Sequence, residues 1–155
     1  MERITVVKIG GNVIDSPEAT ARFVEAFAAL EGPKMLIHGG GKLATRLAAQ
    51  LGIESRMVDG VTMVYAGLIN KRLVAALSAA GCRAIGLSGA DGDAVTSVRR
   101  AAGAVDYGYV GDIAEGGVNV ELLRTLLDAG LTPVFSAITC DGRGTLLNTN
   151  ADSVA

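Results

Sequence analysis

Short apolar runs alternate along this chain with longer stretches that have helical periodicity. Buried strands are predicted over residues 4–9, 35–38, 84–87 and 132–138. Helices are predicted from a cap at Ser16 to about Leu30, and over residues 42–51, 62–80 and 118–129. A short strand over 53–58 and a hairpin that pairs 95–99 with 105–110 complete the pattern. This βα alternation predicts an α/β fold, a three-layer αβα sandwich with a mainly parallel central sheet.

The composition fits one globular domain with an aliphatic core. The 155 residues are 50% hydrophobic but only 4% aromatic, with no tryptophan, which suits helices packed on a parallel sheet. A net charge of −2 without a long basic run argues against nucleic acid or a membrane surface as partner. We expect no signal peptide, because the first residues lead directly into a strand, and two separated cysteines, Cys82 and Cys140, fit reduced thiols. We therefore expect a cytoplasmic protein.

Three junctions between a strand and a glycine turn or helix start carry the candidate chemistry. They are Lys8-Ile9-Gly10-Gly11, His38-Gly39-Gly40-Gly41-Lys42 and Asn148-Thr149-Asn150-Ala151-Asp152. Consecutive glycines at a strand end expose backbone N–H groups, and a following helix adds the positive end of its dipole. Together with a lysine and an aspartate, this combination favours a site that handles phosphate groups.

Each junction also has a purely structural interpretation. Lys8 could extend to water from the strand end instead of meeting an anion, and Asp152 could be an ordinary first-turn residue. The glycine run at 39–41 could serve a tight turn; it has neither the P-loop spacing nor a dinucleotide fingerprint, and Leu43 stands where a P-loop has Ser or Thr. His38, the single histidine, is expected to be structural.

The order of these junctions resembles the acetylglutamate kinases of the amino acid kinase family. Further matching segments in the same order are Gly67-Leu68-Ile69-Asn70-Lys71, Gly86-Leu87-Ser88-Gly89-Ala90-Asp91-Gly92 and Asp106-Tyr107-Gly108-Tyr109-Val110-Gly111-Asp112. The resemblance covers nearly the whole chain. It implies the family's αβα scaffold and a phosphotransferase with a carboxyl group as acceptor.

The resemblance also implies roles for individual residues. Lys8 would stabilise the transferring phosphoryl group, and Asp152 would orient the catalytic lysines. The remaining site residues would bind through backbone or amide groups: Gly10 and Gly11 on the phosphoryl group, and Gly40, Gly41 and Asn148 on the acylated amino acid. No metal-binding residue is expected.

The implied reaction is ATP-dependent phosphorylation, with Mg²⁺, of the side-chain carboxylate of N-acetyl-L-glutamate or a related N-acylglutamate, in arginine biosynthesis. The acyl group stays open. Two alternatives also stay open: a non-catalytic module that senses an amino acid through the same scaffold, and a Rossmann-like nucleotide-binding domain. A homodimer is expected through the apolar helix over 62–80, which is too apolar for one buried stripe.

The chain departs from the family pattern in two places. Gly60 joins Val61 directly, where the family carries about three further helical turns that include a substrate-binding arginine. The nucleotide-binding half that follows Asp152 in the family is not in this sequence, so residues 1–155 are expected to form the N-terminal half, which binds the acyl-amino acid and dimerises. Only Met1–Arg3 precede the first strand, so neither arginine feedback nor ring assembly is expected.

Overall fold

A four-stranded parallel sheet forms the centre of the fold. The computed structural model describes residues 3–40, 63–103 and 106–155, so the predicted helix over 42–51 and strand over 53–58 lie outside the described residues. The strands of this sheet are β1 (Thr5–Ile9), β2 (Lys34–His38), β3 (Ala84–Leu87) and β6 (Thr132–Ser136). They lie in the order β1-β2-β6-β3, with every neighbouring pair parallel.

Helices cover both faces of this sheet. They are α1 (Gly11–Ile14), α2 (Pro17–Ala28), α3 (Asn70–Ala79), α4 (Val120–Asp128) and α5 (Ala151–Val154). Leu36 of β2 packs in one core cluster with residues of α2 and α3, whereas its neighbour Ile37 packs in a second cluster with residues of α4. Because neighbouring strand residues point to opposite faces, this division confirms the three-layer αβα sandwich.

Local sequence signals set the helix ends that the pattern predicted. The Ser16 hydroxyl accepts a hydrogen bond from the Ala19 N–H at 3.2 Å, and Pro17 occupies the first helical position of α2. Asn119 caps α4 in the same way, through the Leu122 N–H at 3.0 Å. Helix α4 therefore begins at Val120, two residues later than the sequence predicted.

A second sheet was not predicted. Strands β4 (Val95–Arg99), β5 (Val110–Val118), β7 (Ile138–Cys140) and β8 (Leu146–Thr149) close into a small barrel in the order β4-β5-β8-β7. The prediction of a hairpin strand over 105–110 is wrong, because the partner of β4 begins only at Val110. Glycine inside the strand hid the pattern that would have predicted β5. The closed barrel requires glycine at 111, because a Cβ there would lie within 3.0 Å of side-chain atoms of Leu147, Thr149 and Ser97.

Two other predicted elements are divided in the structure. The run over 132–138 supplies β6 to the parallel sheet and then, after Ala137, β7 to the barrel. The helix over 62–80 begins as a π-helical segment, Met63–Ile69, before α3. Within the described ranges, no helix has the length and apolar character needed to cross a membrane.

Candidate functional site

Lys8 and Asp152 come from opposite ends of the chain and form an ion pair. Lys8 lies one residue before the end of β1, and its Nζ lies 2.7 Å from Oδ1 of Asp152 in the first turn of α5. The Lys8 side chain is 29% exposed and the Asp152 side chain is 68% exposed, so solvent screens the pair. The ion pair therefore matters for position more than for stability, because Asp152 holds a partly buried ammonium group at the carboxyl edge of the sheet.

Helix α5 is fixed in place by its cap and by contact with the second glycine junction. The Asn150 side chain accepts a hydrogen bond from the Asp152 N–H at 2.9 Å, which starts the helix at Ala151. Ala151 is buried, and its Cβ would lie 4.0 Å from a Cβ built on Gly39. The junction after β2 and the helix that carries Asp152 are thus in direct contact.

The first glycine junction lies beside the ammonium group. A Cβ on Gly10 would be 3.7 Å from Nζ of Lys8, so the bare backbone faces that lysine. Helix α1 begins at Gly11, and the first N–H groups of any helix have no partner within it. The sequence did not predict α1, although it predicted Gly10 and Gly11 as the phosphate-binding pair.

The second glycine junction is tied to the core through His38. This histidine is fully buried, and its Nδ1 lies 2.9 Å from the carbonyl oxygen of Gly39. Its Nε2 lies 3.0 Å from Nδ2 of Asn70, the first residue of α3. Burial lowers the pKa of His38 from its ordinary value, and the hydrogen bond with Gly39 opposes this shift. Burial therefore favours the neutral form of the His38 ring.

Gly40 is covered by an aromatic ring. A Cβ built on Gly40 would fall within the ring of Tyr65, on the π-helical segment. Burial raises the pKa of Tyr65 from its ordinary value, and an interaction with the Gly40 backbone lowers it in part. Since an N–H directed at the phenolic oxygen stabilises the phenolate, the Gly40 amide faces the Tyr65 hydroxyl.

Of the other two residues predicted to bind substrate, Asn148 and Gly41, the structure describes only Asn148. Asn148 lies on β8, where its backbone N–H donates to the Tyr109 carbonyl at 2.9 Å, and it is two residues before the Asn150 cap. Gly41 lies outside the described residues. Among the described residues, the structure thus brings together Lys8, Asp152, Gly10 and Gly39.

Sequence analysis did not identify Asn70 or Tyr65 as parts of this region. Asn70 is 1% exposed, and its Nδ2 also donates to the Val134 carbonyl at 2.8 Å. The available signal was a run of three polar residues, Asn70-Lys71-Arg72, that interrupts an otherwise apolar helix. Tyr65 carried no distinct signal, because an aromatic residue in an apolar helix usually packs in the core.

The arrangement can bind an anion and neutralise charge on it. It offers one ammonium group, backbone amides at two strand ends and a helix start at one edge of the sheet. The described residues contain no group of three His, Cys, Asp or Glu side chains placed to hold a metal ion. Both cysteines are free thiols.

Comparison with known proteins gives a consistent result. The sequence profile of the Amino acid kinase family matches residues 3–155. The chain is 48% identical to the acetylglutamate kinase of Phocaeicola vulgatus over 165 aligned positions, covering 99% of this chain and 63% of that protein. It is 41% identical to the acetylglutamate kinase of Methanopyrus kandleri, covering 97% of this chain and 63% of that protein. The chain thus spans slightly less than two thirds of these relatives.

Solved structures support the fold alone. An N-acetylglutamate synthase from Neisseria gonorrhoeae, complexed with coenzyme A and N-acetyl-glutamate, matches with a TM-score of 0.72 at 22% identity, covering 96% of this chain and 36% of that one.

The alignment with the acetylglutamate kinase of Parabacteroides distasonis has 166 positions and covers the whole of this 155-residue chain. At least 11 aligned positions therefore face gaps in this chain, which agrees with an internal segment being absent.

Proposed function

This chain belongs to the amino acid kinase family, and we propose that it forms the acyl-amino-acid-binding half of a kinase that phosphorylates N-acetyl-L-glutamate. The proposal includes the cytoplasm as the location and arginine biosynthesis as the pathway. The observation that carries it is the Lys8–Asp152 pair beside bare glycine backbone, in a chain 46–48% identical to several bacterial acetylglutamate kinases. No observation favours the non-catalytic alternative or the Rossmann-like one.

The chemistry needs charge neutralisation rather than a general base. A side-chain carboxylate is already ionised at neutral pH, so one of its oxygens can attack the γ-phosphorus of ATP directly. A new O–P bond then forms while the bond between that phosphorus and the β–γ bridging oxygen breaks, and ADP leaves. In this proposal the Lys8 ammonium group and the amides of Gly10 and Gly11 stabilise the negative charge on the transferring group. Asp152 keeps the ammonium group aimed at that position.

The acyl-amino acid would lie over the second glycine junction and β8. We assign its binding to the amides of Gly40 and Gly41 and to Asn148. In this proposal ATP is the co-substrate and brings Mg²⁺ bound to its phosphates. The nucleotide would be held by a second half of the protein, which follows Asp152 in the family.

Binding experiments on the 155-residue chain test this division of the site. We expect N-acetyl-L-glutamate to bind in isothermal titration calorimetry, and a non-hydrolysable ATP analogue to show no heat of binding. Because the predicted substrate arginine is absent from the sequence, the affinity should be weaker than that of a curated relative measured alongside. A chain that binds the ATP analogue and no acylated glutamate would refute the proposal.

The role of Lys8 is tested in a protein that carries both halves. Lys8→Ala should lower turnover by orders of magnitude while changing the affinity for N-acetyl-L-glutamate little, because the ammonium group faces the phosphoryl position. Arg83→Ala is the control: it removes one exposed positive charge from the amino end of β3, the opposite edge of the sheet from the glycine junctions. Near-normal turnover of Lys8→Ala would end the assignment.

A homodimer centred on α3 is part of the proposal. The structure places Leu73 and Leu77 in the interior of a single chain, so these residues do not support the contact. What supports it is an open, mainly apolar groove of about 860 Å³ between α2 and α3, whose lining includes Ala76. Light scattering should give twice the 15.8 kDa chain mass, and Ala76→Glu should halve it. A monodisperse monomer of the unmutated chain would contradict the contact.

A further inference from the structure

The two edges of the parallel sheet differ in how their backbone groups are used. In the order β1-β2-β6-β3, strands β1 and β3 each have one neighbouring strand among the described residues. An edge strand leaves the N–H and C=O groups of alternate residues without a partner in the ladder. Such groups can pair with a strand of another chain, so the state of each edge decides where this sheet can be extended.

Part of the outward backbone of β3 is already covered by the same chain. The Thr132 N–H donates to the Arg83 carbonyl at 2.9 Å, so the odd-numbered residues along this strand face β6. Ala84 and Gly86 therefore face outward. The Gly86 carbonyl accepts a hydrogen bond from the Lys71 ammonium group at 3.0 Å, and the Ala84 N–H donates to the carbonyl two residues earlier at 2.9 Å. With the lysine in a ladder position, another strand cannot pair continuously along β3.

Strand β1 presents its outward groups in an unbroken row. The Thr5 N–H donates to the Pro33 carbonyl at 2.9 Å, so the odd-numbered residues of β1 face β2. The backbone N–H and C=O groups of Ile4, Val6 and Lys8 consequently point away from the sheet. No described strand lies on that side of β1. This edge can therefore accept a further strand.

The side chains along the open edge are apolar and exposed. Val7 and Ile9 pack in the core cluster that includes residues of α2 and α3. Because successive side chains of a strand alternate between faces, Ile4 and Val6 point to the opposite face of the sheet. There Ile4 is 41% exposed and Val6 is 43% exposed. An open edge that carries exposed apolar side chains is a surface suited to strand pairing.

A second copy of this edge is complementary to the first. In an antiparallel pair about a twofold axis at Val6, this valine faces its own counterpart, and Ile4 faces Lys8 of the second copy. Each outward N–H then meets an outward carbonyl, because the outward residues are spaced evenly about Val6. The two Lys8 ammonium groups lie at opposite ends of the pair, and each has Asp152 as its partner at 2.7 Å, so like charges do not face each other.

We propose that the open edge of β1 is an interaction surface for a second copy of this chain, which pairs antiparallel with it about Val6 and joins the two four-stranded sheets. The covered edge of β3 limits the pairing to two chains, because one open edge per chain gives a closed contact and two would give an unlimited array. One short strand from each chain takes part, so the association is weak and reversible. The inference is independent of the proposed kinase activity and of the contact proposed in the α2–α3 groove.

Amide hydrogen exchange of the wild-type chain tests the contact residue by residue. Val6 and Val7 are neighbours on one strand, and only the Val7 N–H faces β2. The Val7 amide should be protected at every protein concentration, whereas the Val6 amide should exchange about tenfold more slowly at high concentration than at low. A Val6 amide that exchanges rapidly at every concentration overturns the proposal. One that stays equally protected in the most dilute sample means that the same chain covers the edge, and this result also overturns it.

Two matched variants test the pairing by sedimentation equilibrium, both made in Ala76→Glu so that the groove contact is removed. Val6→Lys places two ammonium groups opposite each other and should weaken the remaining association at least about tenfold. Val98→Lys is the control, since Val98 is a 57% exposed valine on β4, in the other sheet, and should leave the association unchanged. Equal association of Val6→Lys and its Ala76→Glu parent overturns the proposal. The exchange result decides it even if Val6→Lys does not fold.

Ala76→Glu alone separates this contact from the one proposed on α3. If the Val6 amide keeps its concentration dependence in this variant, the two contacts are independent and the β1 pairing is supported. If the dependence disappears while the variant stays folded, the protection arose from the groove contact. That outcome overturns the pairing of β1 and leaves the homodimer on α3 in place.

Discussion

Replacing Lys34 should show how much more a buried charged hydrogen bond contributes to the free energy of unfolding than an exposed one does. It is 8% exposed, and its ammonium group donates to the carbonyls of Phe27 and Ala28, each at 2.9 Å, and of Leu30 at 2.6 Å. Helix α2 ends at Ala28, so the lysine adds a donor to carbonyls at the helix end, of which the Phe27 carbonyl also accepts the Leu30 N–H at 3.2 Å. It also lies over the Phe27 ring, 5.2 Å from the centroid.

The expected loss on replacing Lys34 by methionine follows from these contacts. A hydrogen bond to a charged group contributes about 1.5–3 kcal/mol, and a cation at a helix C-terminus adds up to about 1 kcal/mol. Two of the three carbonyl contacts are only partly buried and can recover water, and the methionine keeps most of the apolar packing. We therefore expect the free energy of unfolding to fall by about 3 kcal/mol.

Arg83→Met provides the matched comparison for Lys34→Met. Arg83 donates to the Ala129 carbonyl at 2.9 Å at the end of α4, the same type of contact on an exposed residue. Its loss should be under about 1 kcal/mol, since exposed charge contacts contribute little. Urea unfolding followed by circular dichroism measures both variants. Equal losses, or a loss below about 1 kcal/mol for Lys34→Met, would refute the reasoning from burial.

Two further predictions concern the residues around the glycine junction. Burial lowers the pKa of His38 from 6.5, so protonation favours the unfolded chain; stability should be level above about pH 6.5 and fall below it, by up to about 1.4 kcal/mol per pH unit. Urea unfolding between pH 5 and pH 8 should show this slope in the wild type and not in His38→Gln. Gly86→Ala should lower stability by at least about 2 kcal/mol, because the new Cβ collides with Oδ1 of Asn70, whereas Gly103→Ala, with open space around it, should not. A flat pH profile or equal glycine variants would contradict these two arguments.

The sequence predicts those parts of the fold that local pattern encodes. The strand over 84–87 is confirmed at both ends, and the Ser16 cap is confirmed by its hydrogen bond to Ala19. The barrel escaped prediction because its closure depends on the long-range pairs β4–β7 and β5–β8, and because glycine stands at 111 where a strand pattern calls for a side chain. Pattern also could not show that Ala137 divides one apolar run between two sheets.

In the candidate site, too, local motifs could be predicted from the sequence and long-range contacts could not. Lys8 and Asp152 were recognised because each stands in a distinct local motif, and the structure brings them together. The link between Asn70 and His38 was not recognised, because it joins a helix start to a strand end far away in sequence. A lone buried histidine gave no indication of its partner, which only the packing of α3 against the sheet supplies.

The position of Asp152 depends on the junction between the two sheets. Ala137 carries the chain out of β6 and into β7, and its carbonyl accepts the N–H of Thr149 at 3.0 Å. Thr149 ends β8 and leads directly into the Asn150 cap of α5. The hydrogen bond between Ala137 and Thr149 therefore fixes the end of β8 next to the end of β6. This position in turn places α5, so that Asp152 lies beside Lys8. The described residues of both glycine junctions lie at that same edge, so one sheet supports both the Lys8 ammonium group and the neighbouring backbone amides.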